Sequence, residues 1–426
     1  MGCRLRAGAL ATALAALGFL AAATTAHAQG AAAVPPDPVA QPTPDTQVDV
    51  FDVARKLFKK PPKDAAGAAA WDHTKLMLAI VPTFGYKPST GFTIGAMSNL
   101  AKYFGDPETT RISSAVVGLS YSTKQQTSFT VRFGASGKDN RWRLDGDNRF
   151  QWTSQDSYGL GTGTSPEDAV NTRFTYVRIY DIGWYELTKN LYAGAGFHFS
   201  SHTNVRPGVE GDPAWENSAY VTYSKENGFD PDGQSSTGFS LNLMLDTRDS
   251  QINASRGWLA SLTYRPFVRN LAGGDSDWQE GYLDVRSYFS LTKDRRQRLA
   301  VWVYGDLVRS GTAPYFDLPS LGMDTYGRSG RAYTEGRIRG DELVYGELEY
   351  RATLTRNGLV GLVAFLNTTT AADRQTGEQL FDGFATGGGI GLRVLFNKRS
   401  KTNLCIDYAW GRQGSRGFYL ALQEAF

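Results

Sequence analysis

The chain has 426 residues, 41% hydrophobic and 12% aromatic, and is rich in glycine (47) and tyrosine (21). Two cysteines and four histidines exclude a disulfide framework and a multi-metal enzyme. The net charge of +3 falls to +1 without Arg4 and Arg6, and the basic residues form no block beyond Arg295-Arg296-Gln297-Arg298, which argues against nucleic acid as a partner.

In chain order, residues 1–28 read as a secretory signal. Arg4 and Arg6 precede an apolar stretch from Ala9 to Ala23, and Ala26-His27-Ala28 has the small-x-small form of a cleavage site. Cys3 lies ahead of that stretch, so it is no lipid-attachment site. Cys405 is then the one mature cysteine, which forbids an intrachain disulfide. Residues 29–74 form an Ala/Pro-rich periplasmic tether. Within it Val50, Phe51, Val53, Ala54, Leu57 and Phe58 recur at helical spacing, and Pro61-Pro62 ends the pattern. A short amphipathic helix docked on the main domain is expected, with a periplasmic partner site or a barrel plug as the sharper readings.

From residue 75 to 426 the period changes to two. Phe239, Leu241, Leu243 and Leu245 alternate with Ser240, Asn242 and Asp246. Leu404, Ile406, Tyr408 and Trp410 alternate with Asn403, Cys405 and Asp407. Strands are expected near 77–86, 91–103, 112–122, 126–135, 140–152, 172–185, 190–200, 236–247, 256–265, 277–290, 297–309, 342–353, 358–367, 384–396, 402–411 and 416–426. They have the length of tilted membrane strands, while no internal apolar run of about 18 residues suits a membrane helix. Aromatics (Tyr103, Trp152, Tyr158, Trp184, Tyr185, Trp258, Tyr264, Trp410) collect near strand ends, as in an interfacial girdle. The long polar connections, near 153–171, 201–235, 310–341 and 368–383, are all odd-numbered and share one face. The expected fold is all-β, a sixteen-stranded antiparallel transmembrane β-barrel in the outer membrane of a Gram-negative cell. Its last residue, Phe426, would face outward with Phe418, Leu420 and Leu422, a face that Glu424 interrupts.

Other patterns carry less. Gly387-Gly388-Gly389-Ile390-Gly391 lacks the helix and acidic residue of a nucleotide site, and reads as glycine against close-packed backbone. His198 and His202 share a strand face without further ligands, and read as loop or rim histidines. Asp230-Pro231-Asp232-Gly233 reads as a turn. No Gly-x-Ser-x-Gly elbow occurs. No catalytic residue, metal or cofactor is expected.

The stretch Pro82-Thr83-Phe84-Gly85-Tyr86-Lys87-Pro88-Ser89-Thr90-Gly91-Phe92 resembles the opening hairpin of the bacterial surface antigen superfamily, outer-membrane barrels of the BamA, TamA and FhaC type. Asp246-Thr247-Arg248-Asp249 with Arg256-Gly257-Trp258 resembles its central periplasmic turn. Gly330-Arg331-Ala332-Tyr333 and Gly336-Arg337-Ile338-Arg339-Gly340-Asp341 resemble its sixth-loop motif, followed by Glu347-Leu348-Glu349-Tyr350-Arg351. The resemblance runs from Lys75 to Phe426, with two departures: Ala332 replaces the motif glycine, and Asn367 stands where Phe365-x-Asp would be usual. The short tether resembles the subgroup without periplasmic POTRA domains. The resemblance implies that the sixth loop folds back into the lumen. There Arg331, beside Tyr333 and supported by Arg337 or Arg339, would meet Glu347, Glu349, Arg351, Asn367, Arg393 and Asp407 on inward strand faces, with Glu349 and Asp407 as charge partners. It also implies a weak seam between first and last strands, where Gly85 and Gly417 are poor strand formers. The implied function is assisting insertion or translocation of polypeptides. A permeation pore without a client, and a membrane anchor for a periplasmic partner, are the alternatives. Expected partners are outer-membrane lipid and lipopolysaccharide, with a client polypeptide or periplasmic protein.

Overall fold

The computed structural model describes residues 46–58, 75–87, 90–106, 109–324, 327–398 and 401–426. Residues 1–28, and the tether apart from 46–58, lie outside them. Sixteen antiparallel strands pair in sequence order, from β1 (Met77–Lys87) to β16 (Arg416–Leu422). The sheet curls until β1 and β16 lie side by side. Among the described residues no backbone ladder joins those two strands.

The wall is inverted relative to a soluble protein. In β8 (Gly233–Asp246) the exposed residues are Phe239, Leu241 and Leu243, and the buried ones between them are Ser240, Asn242 and Met244. The same reversal places Ile94, Leu262, Ile390, Leu392, Tyr408 and Phe418 outside. A lipid solvent makes this the favourable arrangement, because the apolar belt meets acyl chains while every strand bond stays inside the sheet.

Most strand limits fall within three residues of expectation, the long β6 (Val170–Thr188) among them, but β5 (Trp142–Ser157), β7 (Leu191–Pro207) and β13 (Val360–Ala372) run past their expected ends. The 19 residues of β6 would extend roughly 60 Å, well beyond a membrane strand. The apolar alternation of β5 stops near Trp152, yet the ladder continues through the polar pairs Gln155–Thr172 and Asp156–Asn171. Periodicity marked the part in lipid, not the part in water. Two of the expected girdle aromatics, Trp184 and Tyr158, are instead buried. His198 and His202 are also not rim residues. Both are buried on β7, His198 sharing a hydrogen bond with Ser240 Oγ (2.7 Å) and His202 stacking on Tyr176 (ring centroids 4.6 Å apart). Asp230 to Gly233 does form a turn, in which the Asp230 carboxylate accepts from the Asp232 amide.

Before the barrel, α1 (Val50–Leu57) starts with a reciprocal capping box between Asp49 and Asp52. It docks outside the wall, at the end that carries both the helix and the chain's C-terminus. The Val48 amide bonds to Asn357 O, Lys398 Nζ reaches Asp52 (2.7 Å), and the Phe51 ring meets Phe396 of β14 (Ala385–Asn397) at 5.1 Å. α1 is therefore not a plug.

Candidate functional site

β11 (Gln297–Gly311) and β12 (Glu342–Thr353) are joined by residues 312–341, which enter the lumen. Tyr315, Phe316, Leu321, Ala332 and Ile338 are all buried there. Two glycines allow the path. Gly330 (φ +71°) and Gly336 (φ +80°) have left-handed backbones, and a Cβ at either would stand 2.4 Å from Leu321 or Gln155.

The opposite wall makes room for the loop. Gly387, Gly389 and Gly391 share the inner face of β14, opposite Asn367, Phe365 and Val363 of β13 (Val360–Ala372). A Cβ on Gly387 would lie 3.0 Å from the Ala332 methyl, and one on Gly389 would lie 2.5 Å from Phe365. The glycine run is a trough for the loop tip.

Arg331 lies in that trough with its guanidinium over the Phe365 ring, 3.6 Å from the centroid. Its Nη1 donates to Asp407 (2.7 Å), and its Nη2 donates to both Glu347 and Glu349. Asn367 donates to the Arg331 carbonyl (3.0 Å), so the amide that replaces the family's aspartate holds loop backbone. Arg393 binds Asp407 and Glu424 (2.7 Å), while Arg351 donates to Glu349 (2.6 Å) and to the Phe426 carbonyl (3.0 Å). Tyr345 donates to Glu347. Three guanidiniums thus face four carboxylates, and all seven side chains are buried. Such a network favours one arrangement of the loop, because any displacement strands a charge in a shielded space.

Tyr333 packs beside this cluster. Its hydroxyl donates to Thr386 O (2.6 Å) and accepts from the Arg412 amide (3.0 Å). Arg337 and Arg339 support the loop differently from expectation, through neutral oxygens. Arg337 binds Thr164 and Gln413 Oε1, and Arg339 binds the Tyr315 carbonyl and Gln155 Oε1. Beneath the far rim, α2 (Ala219–Glu226) closes over the loop. Tyr220 stacks on Phe316 at 4.9 Å, and the Tyr223 hydroxyl bonds to Ala313 O.

The chain's end departs most from expectation. β16 stops at Leu422, Gln423 takes φ +75°, and the last residues turn into the lumen. Phe426 is buried against Trp302, 5.2 Å between ring centroids, rather than facing outward. Glu424 pairs with Arg393 and accepts from Asn403 (2.8 Å). A carboxylate is costly in the lipid belt, and the turn moves it to a guanidinium. Arg328 of the loop grips the tail through the carbonyls of Leu422, Gln423 and Glu424.

Sequence reading missed Tyr345, Glu424 and Tyr419 as members of this site. Tyr419 accepts from the Ala332 amide (3.0 Å) and stands opposite Asp407 of β15 (Thr402–Gly411) in the β15–β16 register, so alternation alone could have placed it inward. At the opposite end, Asp246 of the central turn clamps Arg248 (2.9 Å) and Arg111 (2.9 Å), tying distant turns together.

A sixteen-stranded barrel with an apolar belt and a loop locked in its lumen defines an outer-membrane barrel that crosses by strands. The chain belongs to the Omp85 superfamily, whose domain matches residues 81–426. Its fold is similar to that of BamA from Haemophilus ducreyi lacking POTRA domains 1–3, at 14% identity and a TM-score of 0.52, over 82% of this chain and 69% of that one. It is similar also to CdiB from Acinetobacter baumannii, at 13% identity and a TM-score of 0.50, over 82% of this chain but only 58% of the other. No curated protein matches the chain. At these identities the two structures speak for the fold.

Proposed function

We propose that this Omp85 barrel assists the insertion or translocation of polypeptides at the outer membrane, with the β1–β16 seam as the client's way in. Residues 75–426 form the working domain, and residues 29–74 tether it on the periplasmic side. The seam carries the reading. β1 has eleven residues and β16 seven, and among the described residues no ladder closes them. Unpaired backbone groups facing hydrocarbon are costly, and an incoming strand satisfies them by adding to the edge. Family membership and the barrel's likeness to BamA and CdiB support a polypeptide client. The permeation-pore reading has less support, because the loop and α2 occupy the outer half of the lumen.

The test is a set of cysteine pairs bridging β1 and β16 in a Cys405→Ser background, with purified protein in phospholipid vesicles and an unfolded outer-membrane barrel as client. Cross-linked protein should lose client insertion, and reductant should restore it. Full insertion by quantitatively cross-linked protein would sink the seam proposal.

A further inference from the structure

We propose that α1 lies in the phospholipid surface at the periplasmic edge of the barrel, as an interfacial helix continuous with the lipid-facing belt. The proposal does not rest on the seam. The outward row of β14 runs through Ile390, Leu392, Val394 and Phe396, and its first two members are exposed in the belt. Phe396 is the last of the row, one residue before the strand ends, and Phe51 of α1 packs edge-on against it at 5.1 Å. The helix therefore meets the wall on the side that faces lipid.

Polar contacts fix how the helix is turned. Lys398, from the turn after β14, donates through its amide to Asp49 (3.2 Å) and through Nζ to Asp52 (2.7 Å) and the Gln47 carbonyl (3.2 Å). That holds the acidic edge against the rim. Partial burial pushes the Asp52 carboxyl up, but the Lys398 bond and the Asp49 amide outweigh it and hold the group below its ordinary value. Among the described residues the apolar edge has no such cover. Phe51, Leu57 and Phe58 are 43%, 73% and 76% exposed, although they are the largest apolar residues of the segment. Helical spacing puts Phe51, Ala54 and Phe58 on one stripe, with Leu57 beside it. Arg55 and Lys56 in the last turn suit both the helix terminus and phosphate headgroups.

An eight-residue helix is too short to persist in water by itself. This one is capped, tied to the rim on its acidic edge, and left with an apolar stripe that continues a surface already in hydrocarbon. Phospholipid acyl chains are the occupant that this continuity selects.

The experiment uses the full chain with Cys405→Ser in phosphatidylethanolamine/phosphatidylglycerol vesicles, spin-labelled at Leu57→Cys, Phe58→Cys or, on the polar edge, Lys56→Cys. Labels at 57 and 58 should collide with oxygen in preference to a water-soluble nickel chelate, with a ratio several-fold above that at 56. Adding Phe51→Asp should bring the 57 and 58 labels to the value at 56, while the barrel's gel shift on boiling is kept. Equal ratios at all three sites would overturn the proposal. So would protection that appears only in native outer-membrane fragments and is absent in vesicles, since that outcome assigns the face to a protein partner.

Discussion

Ala332 carries a φ of +106°, in a region where a Cβ costs about 1–2 kcal/mol. Glycine would relieve that strain but would lose some unfolded-state restriction, so Ala332→Gly should stabilise by a net of roughly 0.5–1 kcal/mol. The check is a rise in the temperature at which the folded band disappears on a heat-modifiability gel. Arg331→Ala acts in the opposite direction. It leaves Glu347, Glu349 and Asp407 short of their shared cation, and removing one partner of a buried pair costs about 3–5 kcal/mol. The folded band should melt earlier, and protease should cut within residues 312–341. Adding Glu349→Ala should then cost less than the two single losses combined, because one of the stranded carboxylates goes with it. Strict additivity would show that the loop is held by something else.

At the scale of elements, alternation recovers the strands that lipid covers and loses whatever lipid does not. β12 and β15 sit where periodicity put them, because each keeps an outward apolar row, Val344, Leu348 and Tyr350 in one and Leu404, Ile406, Tyr408 and Trp410 in the other. β5 outran the expectation because its outer third, residues 153–157, is polar on both faces, whereas β6 keeps a period of two there with Val170, Phe174 and Tyr176 buried on the inner face. The tail misled for another reason: Phe418, Leu420, Leu422 and Phe426 keep the period of two through a turn that no glycine or proline announces. Glu424 was the readable sign, a carboxylate on what should have been a lipid face. In the site, inward charge on β12, β14 and β15 was legible, whereas the pairing of Arg337 and Arg339 with neutral oxygens was not. That pairing depends on where the glycine trough lets the loop rest. The inward tail also makes a prediction. Phe426→Ala removes a buried ring from Trp302 and Tyr288 and should cost about 3 kcal/mol or more. Carboxypeptidase should trim this variant faster than wild type in folded vesicle-bound protein. Equal trimming would place the tail outside the lumen.

The whole molecule stacks two barriers inside one wall. A sixteen-stranded barrel is wide enough for an aqueous channel. Here its far end holds an apolar layer, with Tyr220, Val221 and Tyr223 of α2 against Tyr315, Phe316 and Leu318 of the loop. A charged layer around Arg331 follows, and a cavity of about 290 Å³ remains beside both, lined by Phe316 and Glu424 and reached by Arg178, Arg265, Glu280 and Asp306. The prediction is that an ion meets both layers in series. Opening one of them, as Phe316→Ser with Tyr220→Ser would do, should leave the barrel nearly silent in a planar bilayer. Replacing residues 313–340 by a short Gly/Ser linker removes both layers and should give steady conductance of the size that a barrel this wide allows. Wild-type protein with steady large conductance would contradict the two-barrier arrangement and favour the pore. Seam and lumen are separate in this arrangement: cross-linking β1 to β16 should abolish client insertion without changing the conductance of the linker variant. If one manipulation moves both readouts together, the client's route runs through the lumen rather than through the wall.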